Sequence, residues 1–306
     1  MPISGHTKIV GIFGYPVRHT LSPAMHNAAF AALGLDYVYL PFEVPPDNLG
    51  QALRALPALQ IAGVNLTIPH KERALEYLDE ISPQAQLIGA VNTVKVEGHK
   101  LIGYNTDGEG FLQSLNQDGG IDPKGRRVCL LGAGGAARAV AMALVEAKIR
   151  ELAILNRTVE RAQLLAEQIS GYYPEVSVCT DSLDNQEIIA RSDIIINTTL
   201  VGMKPDDELP IDPKVISPLG FVCDVIYHPA KTKLLAAAEK RGAKTMNGLG
   251  MLLYQGTLAF EIWTGRKAPV EVMKKALGFG LQGLCRNSDL YFPLPLGEDK
   301  GEGTLS

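Results

Sequence analysis

The sequence predicts an α/β protein built from two units, and three observations carry this prediction. The chain has 306 residues, a length that suits two domains of ordinary size better than one. Short apolar runs alternate with segments of helical periodicity along most of the chain. Near residue 132, a glycine-rich turn joins an apolar run directly to a helical segment. We therefore expect two successive α/β units, each with its own sheet.

The first unit is predicted to end near Gly108. Ser22 is expected to cap the first helix, with Pro23 in the first turn, and a turn at Glu97–Gly98 separates two short strands. The elements expected in order are the strand KIVGIFG, the helix SPAMHNAAFAALG, the strand YVYLPFEV, the helix DNLGQALRAL, the strand IAGVNLTI, the helix PHKERALEYL, two strands in VNTVKVEGHKLIGYNTDG and the helix EGFLQSLNQ. Such alternation favours a mostly parallel sheet.

The second unit begins near Arg127 with a strand, the glycine-rich turn and a helix. It continues through the segments ELAILNRT, VERAQLLAEQI, DIIINTTLVG, FVCDVIYHP and KTKLLAAAEKRGAKTMNG. Two further helical segments, MLLYQGTLAFEIWTG and PVEVMKKALGFGLQGL, are expected to return to the first unit. We predict one domain from residues 1–108 and 246–284 and a second from residues 109–245. Residues 285–306 form a Gly-rich, charged tail, which we expect to be disordered near its end.

Composition narrows the class of function. Hydrophobic residues make up 46% and charged residues 20%, as in soluble globular proteins, and the net charge of −4 argues against nucleic acid as a partner. The four cysteines lack the close spacing of a zinc site, so we expect free thiols and no metal. The N-terminus does not resemble a signal peptide, and no 18-residue window is uniformly apolar. These features predict a cytoplasmic protein without a membrane partner, and they leave open whether it is a monomer or a homodimer.

The glycine-rich turn predicts a dinucleotide site. Because it lies between a strand and a helix, its backbone can approach a pyrophosphate, and the N–H groups at the helix start bind the anion. Ala137 occupies the position of the third glycine, where alanine still permits close packing of helix on strand. An ordinary turn that binds nothing is the alternative. The residues expected at the cofactor are Gly132, Ala133, Gly134, Gly135 and Ala136.

The end of the next strand predicts NADP rather than NAD. NAD sites usually carry Asp or Glu there, facing the adenosine ribose, whereas this chain has Asn156, Arg157 and Thr158, with Arg161 one helical turn further on. Two guanidinium groups at this spacing can bind a 2′-phosphate, which a carboxylate would repel. Arg157 and Arg161 could instead be solvated residues of a helix face.

Lys71 is predicted to lie in the first turn of the helix that follows Pro69. This position is unusual for lysine, because the positive end of a helix dipole disfavours a cation by about 0.3–1 kcal/mol. A lysine whose ammonium form is disfavoured suits proton transfer. The alternative is a solvated lysine paired with Glu72 or Glu76.

Short polar side chains collect on loops where the two units are expected to meet. Asn65 and Thr67 end one strand, and further candidates follow in the segments AVNT and GYNTDG. Such residues often only form turns, and Ser22 needs no purpose beyond its cap. Ligand sites, however, favour domain junctions and the C-terminal ends of parallel strands. The candidates from the two segments are Asn92, Asn105, Thr106 and Asp107.

Nine motifs, taken in order, resemble those of the shikimate dehydrogenase family: HTLSP, GVNLTIPHK, AVNTV, GYNTDG, GAGGAARA, NRTVER, NTTLVGM, DVIYHP and NGLGMLLYQG. They run from residue 19 to residue 256. The resemblance implies an N-terminal substrate domain, completed by the last helices, facing a Rossmann-like NADP-binding domain across a cleft. It implies NADPH-linked, reversible reduction of 3-dehydroshikimate to shikimate, in the pathway to chorismate and the aromatic amino acids.

The resemblance also implies roles for individual residues. Lys71 and Asp107 form the catalytic pair, one as proton-transfer group and one as orienting partner, and the sequence does not decide which is which. Thr20 and Ser22 hydrogen-bond the substrate carboxylate. The ring hydroxyls and the reacting oxygen are held by Asn65, Thr67, Asn92 and Gln255, while Tyr227 reaches toward both ligands. The nicotinamide is contacted by Gly248 and Met251, with Thr199 and Val201 on the adjacent loop.

Two departures from the family pattern leave alternatives open. Thr20 replaces the more usual serine, so a quinate/shikimate dehydrogenase is a second hypothesis, against which Arg157 and Arg161 count because quinate-using relatives often take NAD. Thr198 and Leu200 differ from the usual motif of the nicotinamide loop. A non-catalytic dinucleotide sensor should carry damaged catalytic positions, and this chain does not. An unrelated Rossmann reductase leaves the nine ordered motifs unexplained.

Overall fold

The computed structural model describes residues 3–286, which contain strands, α-helices and three short 3-10 helices. The strands are β1 Lys8–Gly14, β2 Tyr37–Glu43, β3 Ile61–Leu66, β4 Glu80–Ile81, β5 Thr93–Glu97, β6 Lys100–Tyr104, β7 Arg127–Leu131, β8 Glu151–Leu155, β9 Ser177–Asp181, β10 Ile194–Asn197, β11 Phe221–Asp224 and β12 Lys244–Met246. The helices are α1 Ser22–Ala32, α2 Leu49–Ala55, α3 Pro83–Ile88, α4 Asp107–Gln117, α5 Gly135–Glu146, α6 Val159–Tyr172, α7 Gln186–Arg191, α8 Lys233–Lys240, α9 Leu249–Thr264 and α10 Val270–Arg286. The 3-10 helices are Pro46–Asn48, Arg73–Tyr77 and Pro213–Val215.

The first sheet is mixed, with strand order β2-β1-β3-β5-β6-β4. Strands β2, β1 and β3 are parallel, and β4 is parallel to β6, but β5 is antiparallel to both β3 and β6. The prediction of a mostly parallel sheet is therefore confirmed, and β5 is the exception, in the hairpin that was expected at Glu97–Gly98. A connection as short as Gly98–His99 allows only an antiparallel pair, and Gly98 adopts φ +63°, a turn conformation that favours glycine.

The second sheet is fully parallel, with strand order β12-β11-β10-β7-β8-β9. The order reverses between β7 and β10, and in such sheets ligands bind where the loops leave these two strands in opposite directions. Strand β9 has no counterpart in the sequence analysis. It lies at the edge of the sheet and none of its residues is fully buried, so no apolar run marks it.

Helices α9 and α10 pack on the first sheet, which confirms the prediction that they return to it. Phe260 and Trp263 of α9 join the core formed by β1, β2 and α1, and Met273 and Leu277 of α10 complete this core. The indole Nε1 of Trp263 donates to the carbonyl of Val94 at 3.0 Å, which ties α9 to strand β5. The opposite face of the sheet carries a separate core with α2.

Helix α1 begins one residue earlier than predicted. Leu21, at the N-cap position, already has helical dihedral angles and provides no capping side chain, whereas Thr20 Oγ1 accepts from the N–H of Ser22 at 3.2 Å. Ser22 is therefore its first residue and not its cap, although Pro23 does lie in the first turn. Ser22 is buried at 2% exposure, so its hydroxyl is directed into the protein.

No helix between residues 3 and 286 is both long and apolar enough to cross a bilayer. Cys129, Cys179 and Cys223 are free thiols, and burial raises the pKa of Cys129 to about 12. The side chain of Cys285 and the predicted tail beyond Arg286 lie outside the described residues.

His26 of α1 is a buried titratable group in the core of the first sheet. Its ring is fully buried and stacks on Tyr39, with 4.4 Å between ring centroids and 2° between planes. Phe30, Phe260 and Trp263 surround it, and neither ring nitrogen has a hydrogen-bond partner in the described part of the chain. Burial lowers the pKa of His26 from 6.5 to about 3, because the core cannot solvate an imidazolium.

We predict that His26 makes the protein acid-sensitive. The unfolded chain binds a proton at His26 below about pH 6.5, whereas the folded chain does not until about pH 3. The free energy of unfolding therefore falls as the pH drops through this window, by about 2 kcal/mol at pH 5. Chemical denaturation of wild type and His26→Phe, each at pH 7.5 and pH 5, should show a smaller loss in the variant. Equal losses in the two proteins would contradict a neutral, buried His26.

Candidate active site

Lys71 and Asp107 form an ion pair beside the glycine-rich turn of the second sheet. The Lys71 Nζ lies 2.6 Å from Asp107 Oδ2, and the two side chains are 17% and 5% exposed. Lys71 follows β3 in the chain, and Asp107 begins α4 after β6. The loops that leave these two strands therefore bring one cation and one carboxylate into direct contact, as the sequence analysis expected for this pair. Pairing of Lys71 with Glu72 or Glu76 is not observed.

Lys71 is not positioned by a helix. The segment from Thr67 to Glu72 forms turns, and only Arg73–Tyr77 is helical, as a 3-10 helix. The predicted α-helix is therefore wrong, and the helix-dipole argument for Lys71 does not apply. Backbone hydrogen bonds fix the segment instead: Thr67 N donates to Phe13 O at 2.9 Å, and Lys71 O accepts from Val91 N at 2.8 Å.

The side chain of His70 also anchors the lysine loop. Its ring is buried, and Nε2 lies 2.9 Å from the carbonyl oxygen of Val44. Because a carbonyl only accepts, Nε2 must carry the proton. Burial lowers the pKa of His70. This role could not be predicted from the sequence, since a histidine inside PHK gives no sign of the strand end that it contacts.

Asp107 is held from two sides. Its Oδ1 accepts from Asn92 Nδ2 at 2.9 Å, and its backbone N–H donates to Asn105 Oδ1 at 3.0 Å. Asn105 is in turn fixed by a 2.9 Å bond from its Nδ2 to Ala90 O. Asp107 is the first residue of α4, where the helix dipole favours a negative charge. The carboxylate therefore has a fixed orientation toward Lys71.

Asn92 links Asp107 to the C-terminal helices. Its Nδ2 also donates to Thr106 Oγ1 at 2.9 Å and lies 3.4 Å from Gln255 Oε1 of α9, while its Oδ1 accepts from Thr106 N at 2.9 Å. Asn92, Thr106 and Gln255 are all buried. The return of α9 to the first sheet therefore brings Gln255 into the same network as the ion pair.

A second group of predicted substrate residues lies around Tyr39. The hydroxyl of Tyr39 donates to Asn65 Oδ1 at 2.8 Å and is hydrogen-bonded to Ser22. Thr20 Oγ1 donates to Ser22 Oγ at 3.2 Å. Thr67 is half-buried immediately after β3. Thr20, Ser22 and Asn65 are thus brought together by a tyrosine that the sequence analysis did not select.

Tyr227, on the loop after β11 of the second sheet, contacts this group. It is half-buried and forms a hydrogen bond with the backbone of Leu21, the residue before α1. Burial raises the pKa of Tyr227. The two sheets therefore touch beside Ser22 as well as beside Lys71.

The glycine-rich turn lies at the strand-order reversal of the second sheet. Gly132 adopts φ +109°, and a Cβ there would lie 2.8 Å from Thr198 Oγ1, so only glycine suits this position. A Cβ on Gly135 would lie 3.2 Å from the Cβ of Lys71, whereas a Cβ on Gly134 would meet no atom within 4 Å. The turn therefore lies against the lysine and leaves open space beside the start of α5. Ala133 and Ala137 are buried, and Ala136 is half-buried.

The end of β8 presents two exposed guanidinium groups. Arg157, Thr158 and Arg161 are exposed, and Asn156 Nδ2 donates to Thr158 O at 2.7 Å. Arg161 Nη2 lies 3.7 Å from the carboxylate of Glu72, which belongs to the lysine loop of the first sheet. From the sequence, Glu72 was expected only as a partner of Lys71. It is instead an acidic neighbour of the arginine pair.

The loop after β10 is built on two buried side chains. Asn197 Oδ1 accepts from Thr199 N and Oγ1 at 3.1 and 2.7 Å, and Asn197 Nδ2 donates to Val201 O and Asp224 Oδ1, both at 3.1 Å. Burial raises the pKa of Asp224. Thr199 is half-buried, whereas Val201 is 37% exposed. The loop is thus held in shape with its tip accessible.

Gly248 and Met251 lie where α9 begins. A Cβ on Gly248 would lie 1.9 Å from Val225 O, so this position requires glycine. Met251 is buried in the core of the second sheet, which gives it a packing role whatever else it contacts.

The predicted dinucleotide fits these features. The start of α5 offers backbone N–H groups, and the space above Gly134 would be filled by a Cβ, as expected where a pyrophosphate approaches the backbone. Arg157 and Arg161 offer cationic donors that suit a 2′-phosphate.

Family models match three parts of the chain. Residues 12–94 match the shikimate dehydrogenase substrate binding domain, residues 115–202 match shikimate / quinate 5-dehydrogenase, and residues 248–277 match the shikimate 5′-dehydrogenase C-terminal domain. The three matches follow one another in the order of the chain.

Curated and structural relatives match nearly the whole chain. Shikimate dehydrogenase (NADP(+)) of Desulforamulus reducens is 48% identical over 280 residues, covering 90% of this chain and 96% of the relative. A crystal structure of a shikimate dehydrogenase in complex with NADP+ is 46% identical, with a TM-score of 0.85 and coverage of 92% and 98%. The shikimate 5-dehydrogenase of Thermus thermophilus, in complex with NADP(H) and shikimate, is 39% identical, with a TM-score of 0.81 and coverage of 90% and 100%.

Proposed function

This chain belongs to the shikimate dehydrogenase family, and we propose that it interconverts 3-dehydroshikimate and shikimate with NADP as the hydride carrier. The observation that carries the proposal is the Lys71–Asp107 pair, which is partly buried and lies against the glycine-rich turn. Hydride transfer at an alcohol carbon requires a proton-transfer group close to the bound dinucleotide. Here the ion pair and the glycine-rich turn lie side by side. Curated relatives named as NADP-dependent shikimate dehydrogenases support the substrate and the cofactor.

NADPH, when bound, supplies the hydride to the carbonyl carbon of 3-dehydroshikimate. The carbonyl oxygen gains negative charge as the hydride arrives and must receive a proton. Lys71, as an ammonium, donates that proton to the oxygen, and in the oxidation direction it takes the proton back from the alcohol. Two electrons and two hydrogens thus reach the substrate, one hydrogen as hydride and one as a proton.

We propose Lys71 as the proton-transfer group, and its hydrogen bonds support this choice. Asp107 Oδ2 accepts from Lys71 and Oδ1 accepts from Asn92, at 2.6 and 2.9 Å, so both carboxylate oxygens have partners. Lys71 has three N–H donors and uses one on Asp107, which leaves two for the reacting oxygen. Asp107 therefore orients the amine.

We assign the remaining predicted residues to the two ligands. In the proposal, Thr20 and Ser22 bind the carboxylate, and Asn65, Thr67, Asn92 and Gln255 bind the hydroxyls, with Tyr227 between the ligands. The pyrophosphate lies on residues 132–136, the 2′-phosphate on Arg157 and Arg161 beside Asn156 and Thr158, and the nicotinamide near Thr199, Val201, Gly248 and Met251. A division into residues 1–108 with 246–284 and residues 109–245 suits this arrangement.

Quinate is the alternative substrate, since one matching family model covers both shikimate and quinate dehydrogenases. We favour shikimate, because the two exposed arginines suit NADP and the curated relatives carry that name. We also propose a cytoplasmic enzyme, as a monomer or a homodimer. The free thiols of Cys129, Cys179 and Cys223 suit a reducing compartment.

Steady-state oxidation of shikimate and quinate, each with NADP+ and NAD+, tests the proposal. Wild type should use shikimate with NADP+, and Lys71→Ala should lose about 10²- to 10⁴-fold in kcat, the range typical of a removed acid–base group. Lys100→Ala is the matched control, since Lys100 is exposed and paired with Glu80. Lys100 lies at the start of β6, whereas Asp107 follows the end of that strand. Strong quinate oxidation with NAD+, or full activity in Lys71→Ala, would contradict the proposal.

Cofactor preference should depend on the arginine pair. In the double variant Arg157→Ala/Arg161→Ala, the ratio of kcat/KM for NADP+ to that for NAD+ should fall by about 10²- to 10⁴-fold, because two lost charge-assisted hydrogen bonds, each contributing about 1.5–3 kcal/mol, amount to about 3–6 kcal/mol. The comparison is made at fixed ionic strength and saturating shikimate. An unchanged ratio would show that the 2′-phosphate binds elsewhere.

Glu72→Gln provides a second comparison at the same site. Glu72 competes with a 2′-phosphate for Arg161, and an exposed pair of this kind contributes about 0–1 kcal/mol. The KM for NADP+ should therefore fall by no more than about fivefold, while the KM for NAD+, which lacks the phosphate, stays constant.

A further inference from the structure

Tyr39 is a fully buried tyrosine beneath the predicted substrate residues. Its hydroxyl lies 2.8 Å from Asn65 Oδ1 and is hydrogen-bonded to Ser22. In the proposed function, Ser22 binds the carboxylate and Asn65 binds a ring hydroxyl. One hydroxyl group, unassigned in that function, therefore contacts residues from both ends of the substrate pocket.

The direction of these hydrogen bonds follows from the donor inventory. An amide oxygen only accepts, so Tyr39 must donate its single hydrogen to Asn65 Oδ1. Asn65 Nδ2 donates to Asn92 O at 3.1 Å and to Thr93 Oγ1 at 3.0 Å, which uses both of its hydrogens. After these bonds, the Asn65 side chain can form one more hydrogen bond, through the second lone pair of Oδ1. Asn65 can therefore only accept a hydrogen bond from the substrate, so the substrate group must be a donor, as the ring hydroxyls of shikimate are.

His26 keeps the ring of Tyr39 in place. The two rings stack at 4.4 Å with 2° between their planes, and Trp263 packs at 6.0 Å from Tyr39. Neither nitrogen of His26 has a hydrogen-bond partner among the described residues, so the imidazole acts on Tyr39 through ring contact. A tyrosine packed in this way cannot turn its hydroxyl away from Asn65 without displacing the core.

We propose that Tyr39, packed against His26, is a positioning residue that fixes Asn65 as a hydrogen-bond acceptor for a substrate hydroxyl. Tyr39 does not reach the reacting atoms, since it lies behind Asn65. Its loss weakens substrate binding and leaves the chemical step intact. The inference rests on the proposed function for the identity of the substrate.

Tyr39→Phe tests the inference, because it removes the hydroxyl and keeps the stacked ring. The KM for shikimate should rise about tenfold, the effect of removing a partner from a buried hydrogen-bonding group. The kcat should stay within about twofold of wild type, because Asn65 does not touch the transferred proton, and the KM for NADP+ should not change. Tyr37→Phe is the matched control. Tyr37 lies on the same strand and stacks on Phe30, and its hydroxyl has no hydrogen bond within residues 3–286.

A double-mutant cycle with Asn65→Ala shows whether Tyr39 acts through Asn65. If it does, Tyr39→Phe/Asn65→Ala has the same KM for shikimate as Asn65→Ala alone. Independent, multiplicative effects of the two substitutions would overturn the inference. An unchanged KM in Tyr39→Phe, or a loss confined to kcat, would overturn it as well.

The side-chain amide resonances of Asn65 in ¹⁵N-labelled protein give a readout without substrate. They should shift in Tyr39→Phe and remain at the wild-type position in Tyr37→Phe. Inactivity of wild type toward shikimate would refute the proposed function. The amide resonances would still test whether Tyr39 positions Asn65, because they do not depend on the substrate. Unshifted resonances in Tyr39→Phe overturn the inference whatever the activity, and the same spectra report whether the variant is folded.

Discussion

The ion pair between Lys71 and Asp107 is the interaction on which the rest of the site depends. A carboxylate that is only 5% exposed is costly to leave without a partner, so every element that shapes the site must keep Lys71 within reach of it. The loop after β3 does so through backbone bonds and His70, and the start of α4 does so through Asn105 and Asn92. The chemistry that we propose uses this same pair, so the packing of the fold and the reaction depend on one contact.

Close packing of backbone joins the two sheets at this point. Gly132 lets the turn after β7 pass beside the loop after β10, and Gly135 lets the start of α5 rest against Lys71. The strand order reverses between β7 and β10, which places the dinucleotide turn where the loops diverge. In the proposed reaction, the hydride and the proton must reach adjacent atoms of the substrate. A side chain at Gly135 would push the dinucleotide turn away from Lys71, which donates the proton.

The role of a residue could be predicted from the sequence where that role depends on its immediate neighbours in the chain. Three features could be predicted in this way, because each depends on a few consecutive residues. They are the glycine-rich turn, the charged arginine pair and the polar residues that end the strands. The α-helix expected around Lys71 was wrong, since tertiary hydrogen bonds override the local pattern there. Strand β9 left no apolar signal. Tyr39 and His26 look like ordinary core residues in the sequence, and only the folded arrangement places them behind Asn65.

The most direct test of the central claim is a structure of the ternary complex with shikimate and NADP+. The account predicts that the hydroxyl to be oxidised lies within hydrogen-bond distance of Lys71 Nζ, about 2.6–3.2 Å, with Asp107 still paired to the lysine and the nicotinamide on the side of the second sheet. Shikimate bound with that hydroxyl away from Lys71, or a lysine that leaves Asp107 without approaching the substrate, would contradict it.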